Sequence, residues 1–117
     1  MAKKNLSAAE LYRLGKECET GSKKAASYFK KAAEIGHIEA QFELGKYYDI
    51  WRVVRDYNKA IFWYTKAAER GHVESINALM DLYICGGDSV IGFGQRGLLD
   101  GDKYDYWAEK RKEITGS

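Results

Sequence analysis

The stretch AASYFKKAAEIGHIEAQFELGKYY at residues 25–48 returns 35 positions later as AIFWYTKAAERGHVESINALMDLY at residues 60–83. Ten of the 24 aligned positions are identical, whereas average composition gives roughly one or two matches by chance. A fixed period of about 35 residues is typical of stacked helical hairpins. The repeat therefore predicts an all-α fold, in which each unit contributes two helices.

Each repeat is predicted to hold an A helix followed by a B helix. Apolar residues of the B helices recur at the i, i+3, i+4, i+7, i+8 spacing of one helical face. These residues are Ala25, Tyr28, Phe29, Ala32 and Ala33 in one unit and Ala60, Trp63, Tyr64, Ala67 and Ala68 in the next. Gly36 and Gly71 then stand where a left-handed cap ends a helix. The A helices that follow carry their core residues at Leu44 and Tyr48 and at Leu79 and Tyr83.

The beginning of the chain supplies another A helix. Ser7 to Glu10 form a capping box, and Leu6 and Leu11 suit the hydrophobic staple across it. The sequence therefore predicts a helix that begins near Ala8 and stops at Gly21.

The end of the chain supplies another B helix. Asp102 is predicted to cap it, and Trp107 holds the place of Trp63. Arg111 and Lys112 replace two core alanines, as the polar outer face of a terminal helix requires. We therefore predict an α-solenoid of about three antiparallel helix-turn-helix repeats, residues 7–36, 37–71 and 72–114, in a single domain of residues 1–117.

Composition and charge exclude several classes of protein. Among 117 residues, 19 Lys and Arg face 17 Asp and Glu, and the resulting net charge of +2 predicts no nucleic-acid or membrane-surface binding. Lys23-Lys24 and Lys30-Lys31 give one B helix a basic side, which is usually a solvated face. Two cysteines are too few for a disulfide framework or a structural zinc site. No secretory signal or bilayer-length apolar run is visible, so we expect a soluble cytoplasmic protein.

No motif predicts catalysis, a cofactor or a metal site. Residues 92–97 match the pattern G-x-G-x-x-G, but a dinucleotide site needs a strand before it and a helix opening within it. The stretch 86–101 is expected to be an extended loop, and whether it contacts a partner is open. His37 and His72 hold equivalent places roughly 10 Å apart, too far to share a metal ion, and are expected to be helix-start or turn residues. We expect a protein that is not an enzyme and has no cofactor.

Several motifs resemble the Sel-like repeat family, a relative of the tetratricopeptide repeats. They are Ala-Gln-Phe-Glu-Leu-Gly at residues 40–45, Tyr47-Tyr48, residues 56–60 and residues 63–71. The resemblance spans about residues 7–114 and implies a helical solenoid. It also implies an interaction scaffold, because these repeats generally bind other proteins and the partner varies.

Some positions depart from the family's pattern. The loop at residues 49–55 has Ile50 and Arg52 where the family usually has glycines, and Met80 replaces the small residue seen as Gly15 and Gly45. Cys18 takes the place of Tyr48 and Tyr83 and is expected to be a small core residue. A cysteine-rich branch of the family is credited with β-lactam binding, but its cysteine pairs are not reproduced here, so that activity is not expected.

The predicted binding surface is the concave groove lined by the A helices. Because Leu44 and Tyr48 face the partner helix, Phe42 and Lys46 project to another side, toward the groove. A Trp-Arg pair in the unusual loop is a second candidate. The predicted partner-binding residues are Tyr12, Lys16, Phe42, Lys46, Asn77 and Asp81 in the groove and Trp51 and Arg52 in the loop. A structural role for Phe42, and burial of Trp51 in the core, are open alternatives.

We expect a non-catalytic adaptor that binds another protein or an extended peptide through this groove and the loops. The alternative is a small inhibitor, for example of phage or mobile-element origin, that blocks a host enzyme or nuclease. A hydrolase is a remote third reading. The identity of the partner and the formation of a homodimer through the end helices are open.

Overall fold

The protein is described here from a computed structural model, which covers residues 6–50, 55–85 and 101–116. Over these ranges the chain forms six helices and no strand, so the predicted all-α fold is confirmed. The helices are α1 (Ala8–Glu17), α2 (Lys23–Ile35), α3 (Ile38–Ile50), α4 (Tyr57–Ala68), α5 (Val73–Cys85) and α6 (Gly101–Thr115). None of these helices is long and apolar enough to span a membrane.

The chain divides into two compact units, residues 1–63 and 64–117, which are described separately. The single domain predicted for residues 1–117 stays a prediction. Trp51, Arg52 and residues 86–100 of the glycine-rich stretch lie outside the described residues.

Helix α1 begins as predicted and ends earlier than predicted. The Ser7 Oγ accepts a hydrogen bond from the Glu10 N–H at 3.2 Å, and Glu10 Oε1 accepts one from the Ser7 N–H at 2.9 Å, which completes the capping box. The end predicted at Gly21 is wrong, because the helix stops at Glu17 and Cys18 has an extended backbone. Ser22 caps α2 by accepting from the Ala25 N–H at 3.0 Å, so the residues before Ser22 serve as the connection between the helices.

The core of the first unit lies where α2 packs against α1 and α3. The predicted B face is confirmed, because Ala25, Phe29, Ala32 and Ala33 are buried and Tyr28 packs against them. The sequence singled out Tyr48 as the core tyrosine of α3, but Tyr47 is the more buried of the two and Tyr48 packs at the edge of the core. The buried residues that form this cluster are Leu11, Ala25, Ala26, Phe29, Ala32, Ala33, Ala40, Leu44 and Tyr47.

The glycine caps predicted between B and A helices are confirmed in both units. Gly36 has φ 114° and Gly71 has φ 89°, both in the left-handed region. After α2, the Gly36 N–H donates to the Ala33 carbonyl and the His37 N–H to the Ala32 carbonyl, at 3.0 and 3.1 Å. These two bonds form a Schellman motif. The Gly71 and His72 N–H groups make the same pair of bonds to the end of α4.

In the second unit α5 packs against α6, and apart from Ser75 the buried side chains are apolar or aromatic. They include Tyr64 and Ala67 from the end of α4, Leu79 and Tyr83 from α5, and Trp107 from α6. The capping role predicted for Asp102 is wrong, because α6 begins at Gly101 and Asp102 lies in its first turn. A carboxylate there still interacts favourably with the positive end of the helix.

Candidate protein-binding site

Two lysines of the first unit each lie over an aromatic ring of their own helix. On α1 the Lys16 Nζ is 5.9 Å from the centre of the Tyr12 ring, and on α3 the Lys46 Nζ is 5.1 Å from the centre of the Phe42 ring. Both pairs have the i, i+4 spacing that makes side chains neighbours on a helix. Cation–π attraction favours this placement of an ammonium group over a ring. All four residues belong to the predicted groove.

Glu43 connects the two pairs. Its Oε2 is 3.3 Å from the Lys16 Nζ, and its Oε1 is 3.4 Å from the Lys46 Nζ. The charge of Glu43 raises the pKa of Lys16 above its ordinary value, and partial burial of the lysine opposes this effect. Because two lysines share one carboxylate, this cluster carries one excess positive charge. The structure therefore brings Lys16 of α1 and Lys46 of α3 together at Glu43.

The rings of the two pairs are partly structural. Tyr12 stacks on His37 with ring centres 4.7 Å apart, and its ring centre is 5.8 Å from that of Phe29 in α2. Phe42 is half-buried. A substitution of Tyr12 would therefore disturb the contact between α1 and α2, whereas the lysine ammonium groups lie outside the core.

An open cleft of about 220 Å³ lies beside the lysine pair, in the same unit. Its lining is apolar where α1, α2 and α3 meet and charged at Lys16, Glu43 and Lys46. The lining residues are Gly15, Lys16, Cys18, Thr20, Gly21, Ala25, Ala26, Phe29, Glu43, Lys46, Tyr47 and Ile50. Of these residues, only Lys16 and Lys46 are among the partner-binding residues predicted from the sequence.

The Sel1 repeat matches residues 4–37 and 38–72 of the chain. The chain belongs to the Sel1 repeat family. Sel1 repeats form helical solenoids, typically mediate protein–protein interaction and are generally non-catalytic, so the predicted family and fold class are confirmed. No curated protein and no solved structure matches the chain.

The cleft lies where the first Sel1 repeat differs from the second. Aligning Leu14-Gly15 with Leu44-Gly45 places Cys18 opposite Tyr48. Six residues separate Cys18 from Ala25, whereas eleven separate Tyr48 from Ala60, so the first repeat has both a smaller side chain and a shorter connection. Cys18 is half-buried and packs against the core, as predicted for a small residue, but it also lines the cleft. The signal in the sequence was the missing tyrosine.

In the longer connection of the second Sel1 repeat, Arg55 binds the last carbonyl groups of α3. The Arg55 Nε donates to the carbonyl of Asp49 at 3.1 Å, and its Nη2 donates to the carbonyl of Ile50 at 3.2 Å. A cation at this position complements the negative end of α3. The sequence indicates that this loop is unusual but contains no signal for the role of Arg55.

The second unit has no aromatic-lysine pair at its predicted site residues, Asn77 and Asp81. Asn77 and Asp81, at the places of Phe42 and Lys46, are both exposed. The Arg111 Nη1 of α6 donates a hydrogen bond to Asn77 Oδ1 at 2.7 Å, so Asn77 is already bound within the chain. The pairing of aromatic and lysine therefore stops after the second Sel1 repeat.

The histidines after the glycine caps begin helices, as predicted. The His37 Nδ1 accepts from the Ala40 N–H at 3.1 Å, and the His72 Nδ1 accepts from the Ser75 N–H at 3.2 Å. The His72 Nδ1 also lies 2.8 Å from the Ser75 Oγ, which resembles a catalytic pair. Ser75 has no exposed surface, so its hydroxyl serves the start of α5 and does not face a substrate. In the described residues no group of three His, Cys, Asp or Glu side chains is arranged for a metal ion.

Proposed function

We propose that the chain is a non-catalytic binding module that holds another protein against the cleft and the lysine pair of its first unit. The observation that carries this proposal is the junction of Lys16, Glu43 and Lys46 at the edge of an open cleft. The family's usual role in protein interaction supports the same conclusion.

The chemistry of this surface suits a protein partner. The side chains of Lys16 and Lys46 are 52% and 38% exposed, so both side chains are accessible to a partner. Ile50, which also lines the cleft, is 53% exposed. Protein interfaces combine a desolvated apolar centre with a polar rim, and a few residues at the centre contribute most of the binding energy. The cleft supplies such a centre and the lysine pair supplies the rim.

The other residues predicted to bind the partner have different roles in this proposal. Tyr12 and Phe42 support the two lysines. Asn77 and Asp81 remain proposed contacts of the second unit, and Trp51 and Arg52 remain candidates outside the described residues.

Charge reversal of the lysine pair tests the proposal. The chain is immobilised and used to capture proteins from a lysate of its native cell, in parallel with the double variant Lys16→Glu and Lys46→Glu. We expect the variant to lose most of the specifically captured protein, because the rim then carries three carboxylates and repels the partner. The matched control is Lys30→Glu with Lys31→Glu, which makes the same change of charge at two exposed residues of α2 outside the cleft.

Two outcomes of this capture experiment would contradict the proposed site. Equal capture by the chain and its Lys16/Lys46 variant, or equal loss in the Lys30/Lys31 control, contradicts the proposed site. Assay of the captured partner then separates the two functions considered above, because an adaptor leaves the activity of the partner intact whereas an inhibitor abolishes it.

A further inference from the structure

We infer that the cleft takes one aromatic side chain from an extended, acidic segment of the partner. This inference rests on the proposed function and specifies the chemistry of the segment that is bound.

In the other two repeats, the position that aligns with Cys18 is a tyrosine whose ring lies near a lysine. In the second repeat the Lys59 Nζ lies 5.3 Å from the centre of the Tyr48 ring, and in the second unit the Lys103 Nζ lies 5.7 Å from the centre of the Tyr83 ring. Both lysines come from the first turn or two of the B helix that follows the tyrosine. The same lysine occurs in the first repeat as Lys24, whereas the tyrosine is replaced by Cys18.

The first repeat therefore keeps the lysine and lacks its ring. Lys24 is exposed at the start of α2, and the cleft is open beside Cys18. Tyr48 and Tyr83 lie within α3 and α5, whereas Cys18 follows the end of α1 with an extended backbone, so the open cleft at Cys18 leaves room for a ring supplied from outside.

The size of the cleft favours a single side chain as its occupant. Pockets for drug-sized ligands have volumes of about 300 to 1,000 Å³, whereas this cleft has about 220 Å³. Its apolar lining, which includes Ala25, Ala26 and Phe29, suits the flat faces of an aromatic ring. An aromatic residue that anchors in such a pocket is typical of a binding hot spot.

The charges around the cleft favour acidic neighbours for that ring. Among the charged residues that line the cleft, Lys16 and Lys46 share the carboxylate of Glu43, which leaves one excess positive charge. A partner segment with Asp or Glu beside its aromatic residue complements this excess of positive charge. A segment with Lys or Arg at those places would be repelled.

Selection from a displayed library of random nine-residue peptides tests the inference on the complete chain. We expect the enriched peptides to share one Phe, Tyr or Trp with Asp or Glu beside it. Replacing that aromatic residue by Ala in a synthetic copy is expected to weaken binding by about tenfold or more, which corresponds to the burial of one large apolar side chain. Enriched peptides without a shared aromatic residue would overturn the inference.

The variant Cys18→Tyr tests the position of the ring, because it restores the tyrosine that the other repeats carry. We expect this variant to fold, to fill its own cleft and to bind the enriched peptides at least about tenfold more weakly. The control Cys18→Ala keeps the cleft open and is expected to bind as the unchanged chain does. Undiminished peptide binding by a folded Cys18→Tyr variant contradicts the inference.

Amide chemical shifts provide a second measurement that requires no variant. Addition of an enriched peptide to the ¹⁵N-labelled chain is expected to shift the amides of Gly15, Cys18 and Phe29, and addition of its aromatic-to-Ala copy is not. Shifts confined to other parts of the chain would contradict the inference. If the Lys16/Lys46 variant loses its captured partner while Cys18→Tyr retains it, the proposed function stands and only the aromatic occupant is wrong.

Discussion

At the scale of single residues, the contact between Gly15 and Phe29 determines how closely α1 approaches α2. A Cβ placed on Gly15 would lie 2.7 and 2.8 Å from two atoms of the Phe29 ring. Alanine in a helix is favoured over glycine by about 0.5–1 kcal/mol, but overpacking of a core costs about 1–3 kcal/mol. We therefore expect Gly15→Ala to lower the free energy of unfolding by about 1 kcal/mol or more, as measured by urea denaturation.

Gly101 provides the matched control for this substitution. It also lies in a helix, at the start of α6, but a Cβ there would meet no atom within 4 Å. Gly101→Ala is expected to leave the stability unchanged or to raise it slightly, since only the backbone preference changes. If Gly15→Ala is as stable as the unchanged chain, the Phe29 ring has room to move and the close packing inferred here is wrong.

The residues of the candidate site show which features the sequence predicts and which it does not. The i, i+4 spacing on a helix is enough to predict that Phe42 and Lys46 share a face. The contact of Lys16 with Glu43 depends on the distance between α1 and α3, which the sequence does not contain. The cleft was missed because Cys18 was interpreted as a residue that fills the core, although replacing a tyrosine by a cysteine also removes a large volume.

At the scale of helices, the two glycine caps fix where each B helix ends. Gly36 has φ 114°, and a Cβ there would meet nothing within 4 Å, so the effect of a side chain comes from backbone conformation alone. An L residue in the left-handed region costs about 1–2 kcal/mol. We expect Gly36→Ala to lower the free energy of unfolding by about 1–2 kcal/mol.

Asparagine at the same position separates backbone strain from other causes. Because Asn tolerates the left-handed region better than Ala, Gly36→Asn is expected to lower the stability by less than Gly36→Ala does. Both values come from urea denaturation followed by circular dichroism. Equal loss of stability in the two variants would mean that the cap is not the cause.

The predicted helix boundaries succeeded where a local signal fixes them. Ser7, Gly36 and Gly71 each act through hydrogen bonds within a few residues, so the sequence predicted their role. The predicted end of α1 was wrong because residues 18–21 connect α1 to α2, whose cap is Ser22. Asp102 was misplaced by the same kind of ambiguity, since an acidic residue suits both the cap and the first turn of a helix.

At the scale of the whole molecule, the repeat predicted the fold because it is long and its period is specific. Ten identities in 24 positions and two glycine caps are sufficient to predict helical hairpins. The same repeat contains little information about a partner, because residues that recur in each unit are mostly those that pack the core. The candidate site instead arises from differences between repeats, namely the replacement of tyrosine by Cys18 and the shorter connection that follows it.

The predicted single domain has a consequence for unfolding. The boundary between the two units, after Trp63, falls within α4, which runs from Tyr57 to Ala68. Because a helix forms and melts cooperatively, we expect the chain to unfold in one transition. Circular dichroism and tryptophan fluorescence should then give the same midpoint in urea.

Two destabilising substitutions, one in each unit, test whether the two units unfold together. Gly15→Ala acts on the core of the first unit, and Trp107→Ala removes a buried side chain of the second unit, at an expected cost of about 3–5 kcal/mol. In a single domain each substitution lowers the midpoint of the whole transition, as followed by circular dichroism. If each instead shifts only part of the signal and leaves a second transition in place, the two units fold independently and residues 1–117 are two domains.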